Sequence, residues 1–520
     1  MATSPQRAYR AACPNCGAPV DFASAASTSA VCSFCRSTLV RDGEALRRIG
    51  TSAELFDDHS PLQLGVRGTR QGMAFTLVGR LQYGYEAGTW NEWHALFDNG
   101  RSAWLSEDNG AYVIAFDAAR PGDAPALDGL RAGQRVLADG RAWDVASVVR
   151  ARLIAAQGEL PAPPRLQGEF TVVDLRNSAG EVATLDDIDA QRPGWSVGRS
   201  VLLAELALQG LKEASEKTLG ARGVECPSCG TALDVKLATT QSLVCTNCAA
   251  VVDISQGVGA DLAFYKQNNV GAEPRLPLGR SGPLALGGPL LHWQVVGYLE
   301  RCDIPGPGDD ETSFWREYLL YNTTAGFAFL VDTDDGWSWV RPITGAPAVR
   351  GQTARWDGVD YRQRWAYAAK VTWVQGEFYW RVQRDERAQV ADYEGTGAAA
   401  TRRLSREQTT AEVTWSAGET LPAATVADAF GLARSALPGD VVPTAFKATG
   451  VPKALIIFLV VMVAVIVLSQ CGDDQCTDIK NTFGAASAEY QQCARNRASG
   501  GARIGGGSYG GWSSGGGGHK

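Results

Sequence analysis

The chain is dominated by short segments in which apolar residues occupy alternate positions, as in β-strands with one buried face. The clearest segment is residues 371–383, and the Gln-Gly-Glu sequence at 375–377 within it predicts a hairpin turn. Similar glycine-punctuated segments occur throughout residues 60–212 and 280–435. The pattern predicts a mainly β protein with small twisted sheets or half-barrels in these two β-rich units.

Helical periodicity is rare, and residues 201–211 and 425–432 are the best helix candidates. Residues 454–469 form a different element, the uncharged run ALIIFLVVMVAVIVLS. Sixteen residues rise about 24 Å as a helix, and snorkelling by Lys453 can extend their reach across a bilayer. We therefore predict a transmembrane helix over residues 452–470. A buried core helix is the alternative, but a soluble helix normally carries a polar face.

Two short segments repeat one cysteine spacing, in which two CxxC pairs are separated by fifteen residues. The first set is Cys13, Cys16, Cys32 and Cys35, and the second set is Cys226, Cys229, Cys245 and Cys248. Four thiolates at this spacing can surround one tetrahedral ion. The spacing therefore predicts zinc ribbons at residues 10–42 and 223–255, each holding one zinc ion. Because four thiolates leave no open coordination position, we expect both zinc ions to be structural.

The segments that follow the two cysteine sets also match each other, which indicates a tandem duplication. The Trp-Asn-Glu-Trp sequence at 90–93 corresponds to Trp-Arg-Glu-Tyr at 315–318, and Gln-Gly-Glu occurs at 157–159 and 375–377. The predicted order is ribbon, β-rich unit, ribbon, β-rich unit, transmembrane helix and a tail at 471–520.

Two glutamates, Glu92 and Glu317, recur at equivalent positions and are candidate functional acids. Acid–base chemistry would need two such groups in one pocket with separated pKa values. Turn capping or strand-edge solubility is the simpler interpretation. A cleft that joins Glu92 to a second acid would favour an enzyme, whereas packed tryptophans without a cleft would favour a binding module. The sequence contains no HExxH, Walker or GxSxG motif, so no catalytic residue is assigned.

Composition and charge indicate which classes of partner and which compartment to expect. The net charge is −7 and the ribbons are nearly neutral, so no nucleic-acid partner is expected. Eight cysteines in metal-type spacing favour a reducing compartment for residues 1–450. Cys302 lies on a predicted inserted hairpin around residues 302–311 and is interpreted as an incidental exposed thiol. Glycine makes up eleven of the last twenty-one residues, which predicts a disordered tail.

The sequences VGRL, WNEWHAL and WLSED in the first unit resemble a bacterial family known as domain-of-unknown-function family 4178. The second unit is more divergent, since Arg301 replaces the opening tyrosine and Phe329 replaces a tryptophan. A Leu-Ser-x-Glu pattern at 404–407 is blurred at 185–187 in the first unit. The resemblance implies no activity. Members of the family often carry zinc ribbons and membrane segments.

These features together predict a membrane-anchored interaction or sensing protein with structural zinc ribbons, as part of an envelope assembly. Lys447 and Lys453 flank the apolar run, which predicts a single pass through a bacterial inner membrane with the N-terminal bulk in the cytoplasm and the tail outside. Cys471, Cys476 and Cys493 in the tail could then form one disulfide. Protein partners are expected, and the small-molecule ligand is unknown. The alternative is an enzyme whose β-rich units act on a small cationic or lipid-linked substrate.

Overall fold

Strands make up most of the chain that the computed structural model describes, which is residues 9–437 apart from gaps at 24–26, 43–44, 52–59, 87, 109–110, 166, 190–192, 213–223, 238–239, 255–261, 268–270, 306–311, 324 and 383–384. The elements of the first half are β1 (Tyr9–Ala12), β2 (Pro19–Phe22), β3 (Ser29–Val31), β4 (Ser37–Asp42), β5 (Ala45–Thr51), β6 (Arg67–Arg70), β7 (Met73–Tyr85), β8 (Gly88–Phe97), β9 (Ser102–Asp108), β10 (Ala111–Asp117), β11 (Arg135–Ala138), β12 (Arg141–Leu160), β13 (Phe170–Arg176), β14 (Glu181–Asp186), β15 (Gly194–Val201) and a 3-10 helix at Leu203–Leu206.

The second half repeats this series with one additional strand. Its elements are β16 (Val224–Glu225), β17 (Ala232–Leu233), β18 (Ser242–Val244), β19 (Val251–Asp253), β20 (Phe264–Tyr265), β21 (Ser281–Leu284), β22 (Leu291–Ile304), β23 (Phe314–Asn322), β24 (Gly326–Thr333), β25 (Gly336–Ile343), β26 (Ala348–Arg350), β27 (Thr353–Trp356), β28 (Val359–Phe378), β29 (Arg387–Gly395), β30 (Arg402–Gln408), β31 (Val413–Leu421), the helix α1 (Ala423–Ala429) and 3-10 helices at Gly397–Ala399 and Arg434–Ala436. All of the described residues belong to the same compact unit.

In each half the sheet closes on itself through the same strand order. Strands β12, β13, β14, β15, β10, β9, β8 and β7 are successive neighbours, and β7 pairs again with β12. Strands β28, β29, β30, β31, β25, β24, β23 and β22 repeat this circuit, and β22 pairs again with β28. The shared order supports the predicted tandem copies, which we name copy 1 and copy 2. The mainly β prediction is confirmed, and each eight-stranded circuit is more complete than the expected half-barrel.

One strand of 20 residues closes each circuit. In copy 1, β12 pairs with β13 between Asp144 and Ala151 and then with β7 between Arg152 and Gly158. Both pairings contain a register shift, and a β-bulge bends and twists the strand that carries it. In copy 2, β28 pairs in the same way with β29 and β22. A single bent strand therefore pairs with strands on both of its sides and closes the sheet.

The predicted Gln-Gly-Glu turn is wrong, because residues 157–159 and 375–377 lie inside the long strands β12 and β28. The glycines have a different function. Gly158 and Gly376 have φ values of +72° and +89°, and a Cβ atom on either would lie 2.3 Å from the carbonyl oxygen of Val78 or Val296. Only glycine permits this combination of close approach and positive φ. The repeated glycine does mark a backbone constraint. The constraint comes from close contact with a neighbouring strand rather than from a turn.

The cysteine-bearing hairpins continue the large sheets. β3 pairs with the end of β12, where Val31 lies opposite Gly158 and Ser29 lies opposite Leu160. β18 pairs with the end of β28, where Ser242 lies opposite Phe378. Each ribbon is therefore held to its β-rich unit by backbone hydrogen bonds. The boundaries drawn from the sequence between ribbon and unit remain predictions.

Tryptophan supplies much of the core. Twelve of the tryptophans within the described part of the chain are buried, namely Trp90, Trp93, Trp104, Trp143, Trp195, Trp293, Trp315, Trp337, Trp339, Trp373, Trp380 and Trp415. The ring of Trp143 meets that of Trp195 edge-on at 6.0 Å, and similar aromatic contacts recur in copy 2. Burial of these large side chains stabilises the interior of both sheets.

The two helix candidates have different outcomes. The helix expected at 201–211 is only the 3-10 helix Leu203–Leu206, which ends at Ala207 with a left-handed φ of 46°. The candidate at 425–432 corresponds to α1, which starts earlier, after Pro422. Among residues 9–437, apart from the gaps given above, no helix is long and apolar enough to cross a membrane. The predicted transmembrane helix at 452–470 and the predicted tail at 471–520 lie outside the described residues.

Candidate metal centres and an acid-lined cavity

Both cysteine sets come together as the spacing predicts. All ligand atoms of each set lie within 4.8 Å of one another. In the first set, the Sγ–Sγ distances are 3.6 Å for Cys13 and Cys35 and 3.7 Å for Cys16 and Cys32. In the second set, Cys226–Cys248 and Cys229–Cys245 are each 3.7 Å apart. Tetrahedral ligands with metal–sulfur bonds of about 2.3 Å would lie roughly 3.8 Å apart, so both sets fit a tetrahedral ion.

Tight turns position the thiols. The amide of Gly17 donates to the carbonyl oxygen of Cys13, and that of Gly230 donates to Cys226, each at 2.8 Å. Both glycines have positive φ values, 75° and 74°. A hydrogen bond with Ser37 lowers the pKa of the Cys35 thiol to about 5, which favours the thiolate that binds metal. A hydrogen bond with Thr231 likewise lowers the pKa of the Cys229 thiol to about 5.

The remaining described cysteine, Cys302, does not join either cluster. It is buried in β22 and lies opposite Phe314 and Lys370, so the expectation of an exposed thiol is wrong. Burial raises the pKa of its thiol. The hairpin was predicted from Cys302 onward, whereas β22 continues to Ile304 and includes Cys302.

A buried glutamate attaches each ribbon to its sheet. The Glu377 carboxylate accepts hydrogen bonds from the amides of Lys236 and Leu237 and from the Thr240 hydroxyl, which is 2.7 Å away. At the equivalent position in copy 1, the Glu159 carboxylate accepts a hydrogen bond from the amide of Ala23. These residues complete the repeated Gln-Gly-Glu sequence. The repeat was visible in the sequence, but its contact with the ribbon is nonlocal.

In copy 2, Glu317 binds a buried arginine. Arg301 Nη1 lies 3.0 Å from Glu317 Oε1 and 2.9 Å from Glu407 Oε1, and Nη2 lies 3.3 Å from Glu407 Oε2. The side chains of Arg301 and Glu317 are fully buried. Burial lowers the pKa of Arg301, but the combined effect of the Glu407 and Glu317 carboxylates is larger. The net pKa is therefore raised, and the guanidinium stays charged. The guanidinium also lies 5.4 Å from the ring centroid of Trp315. One guanidinium is thus held by two carboxylates and an indole.

Strand register identifies the corresponding residues of copy 1. Trp90 lies opposite Tyr83 in the β7–β8 pair, as Trp315 lies opposite Arg301 in the β22–β23 pair. Tyr83 therefore takes the position of Arg301, and Glu92, two residues after Trp90, takes the position of Glu317.

The second acid of the triad also has a counterpart. Asp186 lies opposite Val172 in the β13–β14 pair, as Glu407 lies opposite Val390 in the β29–β30 pair. Asp174 lies opposite Thr184, as Asp392 lies opposite Ser405, which confirms the alignment. Residues 183–186 therefore match the Leu-Ser-Arg-Glu sequence at 404–407. The sequence comparison had placed that match two residues later.

A cavity of about 470 Å³ lies in copy 1 beside these residues. Its walls include aromatic and acidic side chains, among them Tyr83, Trp90, Glu92, Trp104, Asp117 and Asp186. Glu92 is 6 % exposed, so this candidate acid is neither a turn cap nor an exposed strand edge. The cavity joins Glu92 to a second acid, whereas Glu317 belongs to the other copy. The two glutamates singled out from the sequence are therefore equivalent but separate.

Hydrogen bonds fix the acids in the cavity wall. The Ser106 hydroxyl donates to Glu92 Oε2 at 2.8 Å, and the Trp90 indole donates to Glu92 Oε1 at 3.3 Å. The Trp104 indole donates to Asp117 Oδ2 at 3.3 Å. Burial raises the pKa of Tyr83 well above its usual range, and the carboxylates of Glu92, Asp186 and Asp117 raise it further. The wall therefore combines aromatic rings with several carboxyl groups.

A second cavity, of about 690 Å³, lies where the copies meet. Arg176 of copy 1 donates to the carbonyl oxygen of Thr344 at 2.7 Å, and Gln408 donates to that of Ala132 at 3.1 Å. Tyr367 and Trp415 of copy 2 line it. The sequence gives no sign of this contact, because the bonded residues are 168 and 276 positions apart.

The fold and the cysteine clusters define a tandem protein with two closed sheets, each extended by a hairpin with a four-cysteine cluster. The chain belongs to the family described as domain of unknown function (DUF4178), whose model matches residues 63–203 and 290–423. The two matches coincide with the two closed sheets. Comparison with curated proteins finds no match.

One solved structure with a detectable match is described as "The Structure of Intact Ap-TbpB (N and C lobes)". The match covers 74 % of this chain and 84 % of that chain, at 8 % identity and a TM-score of 0.11. This similarity is too low to indicate a shared fold.

Proposed function

We propose that this chain is a binding protein in which the closed sheet of copy 1 takes a small ligand. The observation that carries the proposal is the cavity of about 470 Å³ beside Glu92. Sites for small molecules are concave, largely aromatic or apolar, and contain a few fixed polar groups. The cavity has these properties, with its acids held by Ser106 and the indoles of Trp90 and Trp104.

The cysteine clusters hold one zinc ion each, in this proposal, and the ions have a structural role. Sulfur–sulfur distances of 3.6–3.7 Å support tetrahedral coordination by four thiolates. A closed site of this type offers no position for substrate. The ion would stabilise a ribbon whose small core cannot fold alone, and the ribbon in turn pairs with the long strand of its copy.

The binding unit is tethered to a membrane through residues 454–469 and contributes to an envelope-associated assembly. This part of the proposal is supported by the uncharged run itself and by Lys447 and Lys453 before it. Two copies on one anchor would offer two attachment surfaces to protein partners. Linked surfaces gain avidity through effective concentration.

An enzyme is the second candidate, since Glu92 and Asp186 line one cavity. Two carboxyl groups with separated pKa values could act as general acid and base on a bound substrate. The equivalent pair in copy 2, Glu317 and Glu407, instead binds the guanidinium of Arg301. We therefore favour binding.

The test measures ligand binding against a filled cavity. Ser196 lines the cavity and is buried, so Ser196→Leu should fill part of it. Ser416→Leu is the matched control, because Ser416 lies opposite Ser405 as Ser196 lies opposite Thr184. The probes are four molecules of similar size: 2-phenylethylguanidinium, 2-phenylethylammonium, 3-phenylpropionate and 2-phenylethanol.

Calorimetry on the detergent-solubilised full chain should show that at least one probe binds the wild type and Ser416→Leu, but not Ser196→Leu. If Ser196→Leu fails to fold, Ala162→Trp at the exposed cavity mouth replaces it. If none of the probes binds in a way that depends on the cavity, the proposal is overturned. Conversion of a bound probe to a new product, lost in Glu92→Gln, would favour the enzyme.

A further inference from the structure

We propose that the cavity of copy 1 selects a small organic cation with a guanidinium or ammonium end, which takes the place that Arg301 takes in copy 2. The inference rests on the proposed function, because it names the ligand class of the same cavity. It comes from the comparison of two copies of one fold, in which one copy carries its own cation and the other carries a cavity.

Copy 2 shows which kind of group binds at the positions that the two copies share. Its two acids hold a guanidinium through three contacts of 2.9–3.3 Å. The Trp315 indole donates to the same Glu317 oxygen at 2.8 Å and fixes the carboxylate against the cation. Charge-assisted hydrogen bonds to a buried guanidinium are strong, and the planar group suits carboxylate oxygens. This site is a cation site with its cation attached to the chain.

Copy 1 keeps the receiving groups and changes the cation. Glu92 corresponds to Glu317, Asp186 to Glu407, and Trp90 to Trp315, through the strand registers given above. Tyr83 stands where copy 2 has Arg301, so no cationic side chain comes from that position. Asp186 is one methylene shorter than Glu407, which leaves additional room between the acids.

The charge of the described cavity wall favours the same ligand class. Four of its residues are acidic, namely Glu92, Asp117, Asp186 and Asp189. Arg165 is the basic residue among the described lining residues, and it donates to the backbone carbonyls of Gln167, Asp187 and Ile188. These carboxylates would attract a cationic ligand and repel an anionic one.

The aromatic residues complete the match. Tyr83 stacks on Trp90, with ring centroids 5.0 Å apart and an angle of 29° between the planes. In copy 2 the guanidinium lies 5.4 Å from the centroid of Trp315, the counterpart of Trp90. Tyr83 covers Trp90 in copy 1, so a ligand cation between Glu92 and Asp186 would lie beside this aromatic pair. Cations over aromatic rings are attracted by the ring quadrupole, most strongly by tryptophan. The whole cavity, of about 470 Å³, has room for an apolar or aromatic body behind the charged end.

The first experiment compares the four probes on the full chain by calorimetry. Both 2-phenylethylguanidinium and 2-phenylethylammonium should bind at least tenfold more tightly than 3-phenylpropionate and 2-phenylethanol. Asp186→Asn and Asp117→Asn should weaken binding of the cations at least threefold. These acids are less buried than Glu92, so both variants should fold. Asp139→Asn is the control, since Asp139 lies outside the cavity wall.

The second experiment supplies the cation from the chain. Tyr83→Arg combined with Asp186→Glu recreates the residues of copy 2, and the new guanidinium should abolish binding of the cationic probes. Leu137→Arg, which adds an arginine at an exposed position outside the cavity wall, should leave binding within threefold of the wild type. If the combined variant does not fold, the charge preference of the wild type and of Asp186→Asn decides the question.

The outcomes separate the inference from the function on which it rests. Cation-selective binding that Ser196→Leu and the arginine variant remove, and that Asp186→Asn weakens, supports both. Cavity-dependent binding that prefers 3-phenylpropionate or 2-phenylethanol would leave the binding function standing and overturn the cation inference. Failure of every probe to bind in a cavity-dependent way would overturn both.

Discussion

Gly158 lies opposite Gly79 in the β7–β12 pair, so close that a Cβ atom on Gly79 would come within 2.0 Å of the Glu159 carbonyl oxygen. Gly376 and Gly297 repeat the relationship in copy 2, and a Cβ atom on Gly376 would lie 2.3 Å from the Val296 carbonyl oxygen. At both places the long strand meets its second neighbour and the ribbon at once. Two glycines thus allow three strands to meet at one point.

Substitution of either long-strand glycine should destabilise the protein strongly. Gly158→Ala adds backbone strain at positive φ, about 1–2 kcal/mol, and a clash with backbone that cannot move aside. We expect a total loss of more than about 2 kcal/mol in chemical unfolding. Gly140→Ala is the matched control, because Gly140 has a φ of +65° and nothing within 4 Å of an added Cβ atom. Equal losses at both positions would refute the close-contact explanation.

Each four-cysteine cluster should bind its own zinc ion. The purified wild type should carry about two ions per chain, and Cys13→Ser should carry about one, because a closed site needs all four thiolates. Metal analysis by mass spectrometry measures both the identity and the number of ions. Cys302→Ser, which lies in neither cluster, should retain two. An unchanged count of two in Cys13→Ser would contradict the assignment.

Loss of the buried arginine in copy 2 should be costly. Arg301→Met leaves Glu317 and Glu407 buried without their cation, for which about 3–5 kcal/mol of lost stability is typical. Arg301→Met combined with Glu317→Gln and Glu407→Gln should recover part of this loss, since the buried charges are then removed. Urea unfolding of the solubilised full chain checks the order of the three stabilities. A triple variant less stable than Arg301→Met would count against the ion-pair account.

His94 should make stability depend on mildly acidic pH. Its Nδ1 donates to the Glu159 carbonyl oxygen and its Nε2 accepts from Ser102, each at 2.9 Å. Burial lowers the pKa of His94 in the folded state, although the Glu159 carbonyl acts in the opposite direction. The unfolded chain therefore takes up a proton first as pH falls below about 6.5, so stability is lost from there down to the lowered folded pKa.

His94→Leu should reduce this slope, because Leu319 takes the same position in copy 2, opposite Gly297. Unfolding measured between pH 7.5 and about 5 compares the variant with the wild type, and each proton contributes at most about 1.4 kcal/mol per pH unit. His292→Gln, at an exposed position, serves as the control. Identical slopes in the wild type and His94→Leu would exclude this histidine as a source of the pH dependence.

The membrane topology is a separate prediction. A phosphatase reporter that works only outside the cytoplasm should be active when fused after Lys520 and inactive when fused near Gly450. The expectation depends on the lysines before the apolar run and on ribbon thiols that need a reducing compartment. A comparable β-galactosidase fusion should give the opposite pattern. Activity of the phosphatase at the Gly450 position alone would reverse the orientation.

Local chemistry allowed the cysteine clusters and the repeat to be predicted. The spacing of Cys13, Cys16, Cys32 and Cys35 already determines that four thiols meet, because each CxxC pair makes its own turn. Two copies in the same order also made the shared strand series predictable. What the sequence could not provide is which strands pair across a distance of one hundred residues.

The wrong predictions concern residues whose structural partners are distant in the sequence. Gln-Gly-Glu predicts a turn because glycine is common in turns, yet its glycine is required by a neighbouring strand. Asp186 was not paired with Glu407, because only the strand register shows that residues 183–186 match residues 404–407. The sequence therefore does not show which residues surround Glu92, and it does not predict the cavity.

Arg301 is covalently part of its chain, so its guanidinium cannot dissociate, exchange or be diluted. Occupancy of the copy 2 site is consequently the same at every solute concentration. The copy 1 site, with Tyr83 in place of the arginine, can change its occupancy with its surroundings. With arginine in one copy and tyrosine at the equivalent position of the other, a single polypeptide carries a fixed reference beside the proposed variable site, always in a ratio of one to one.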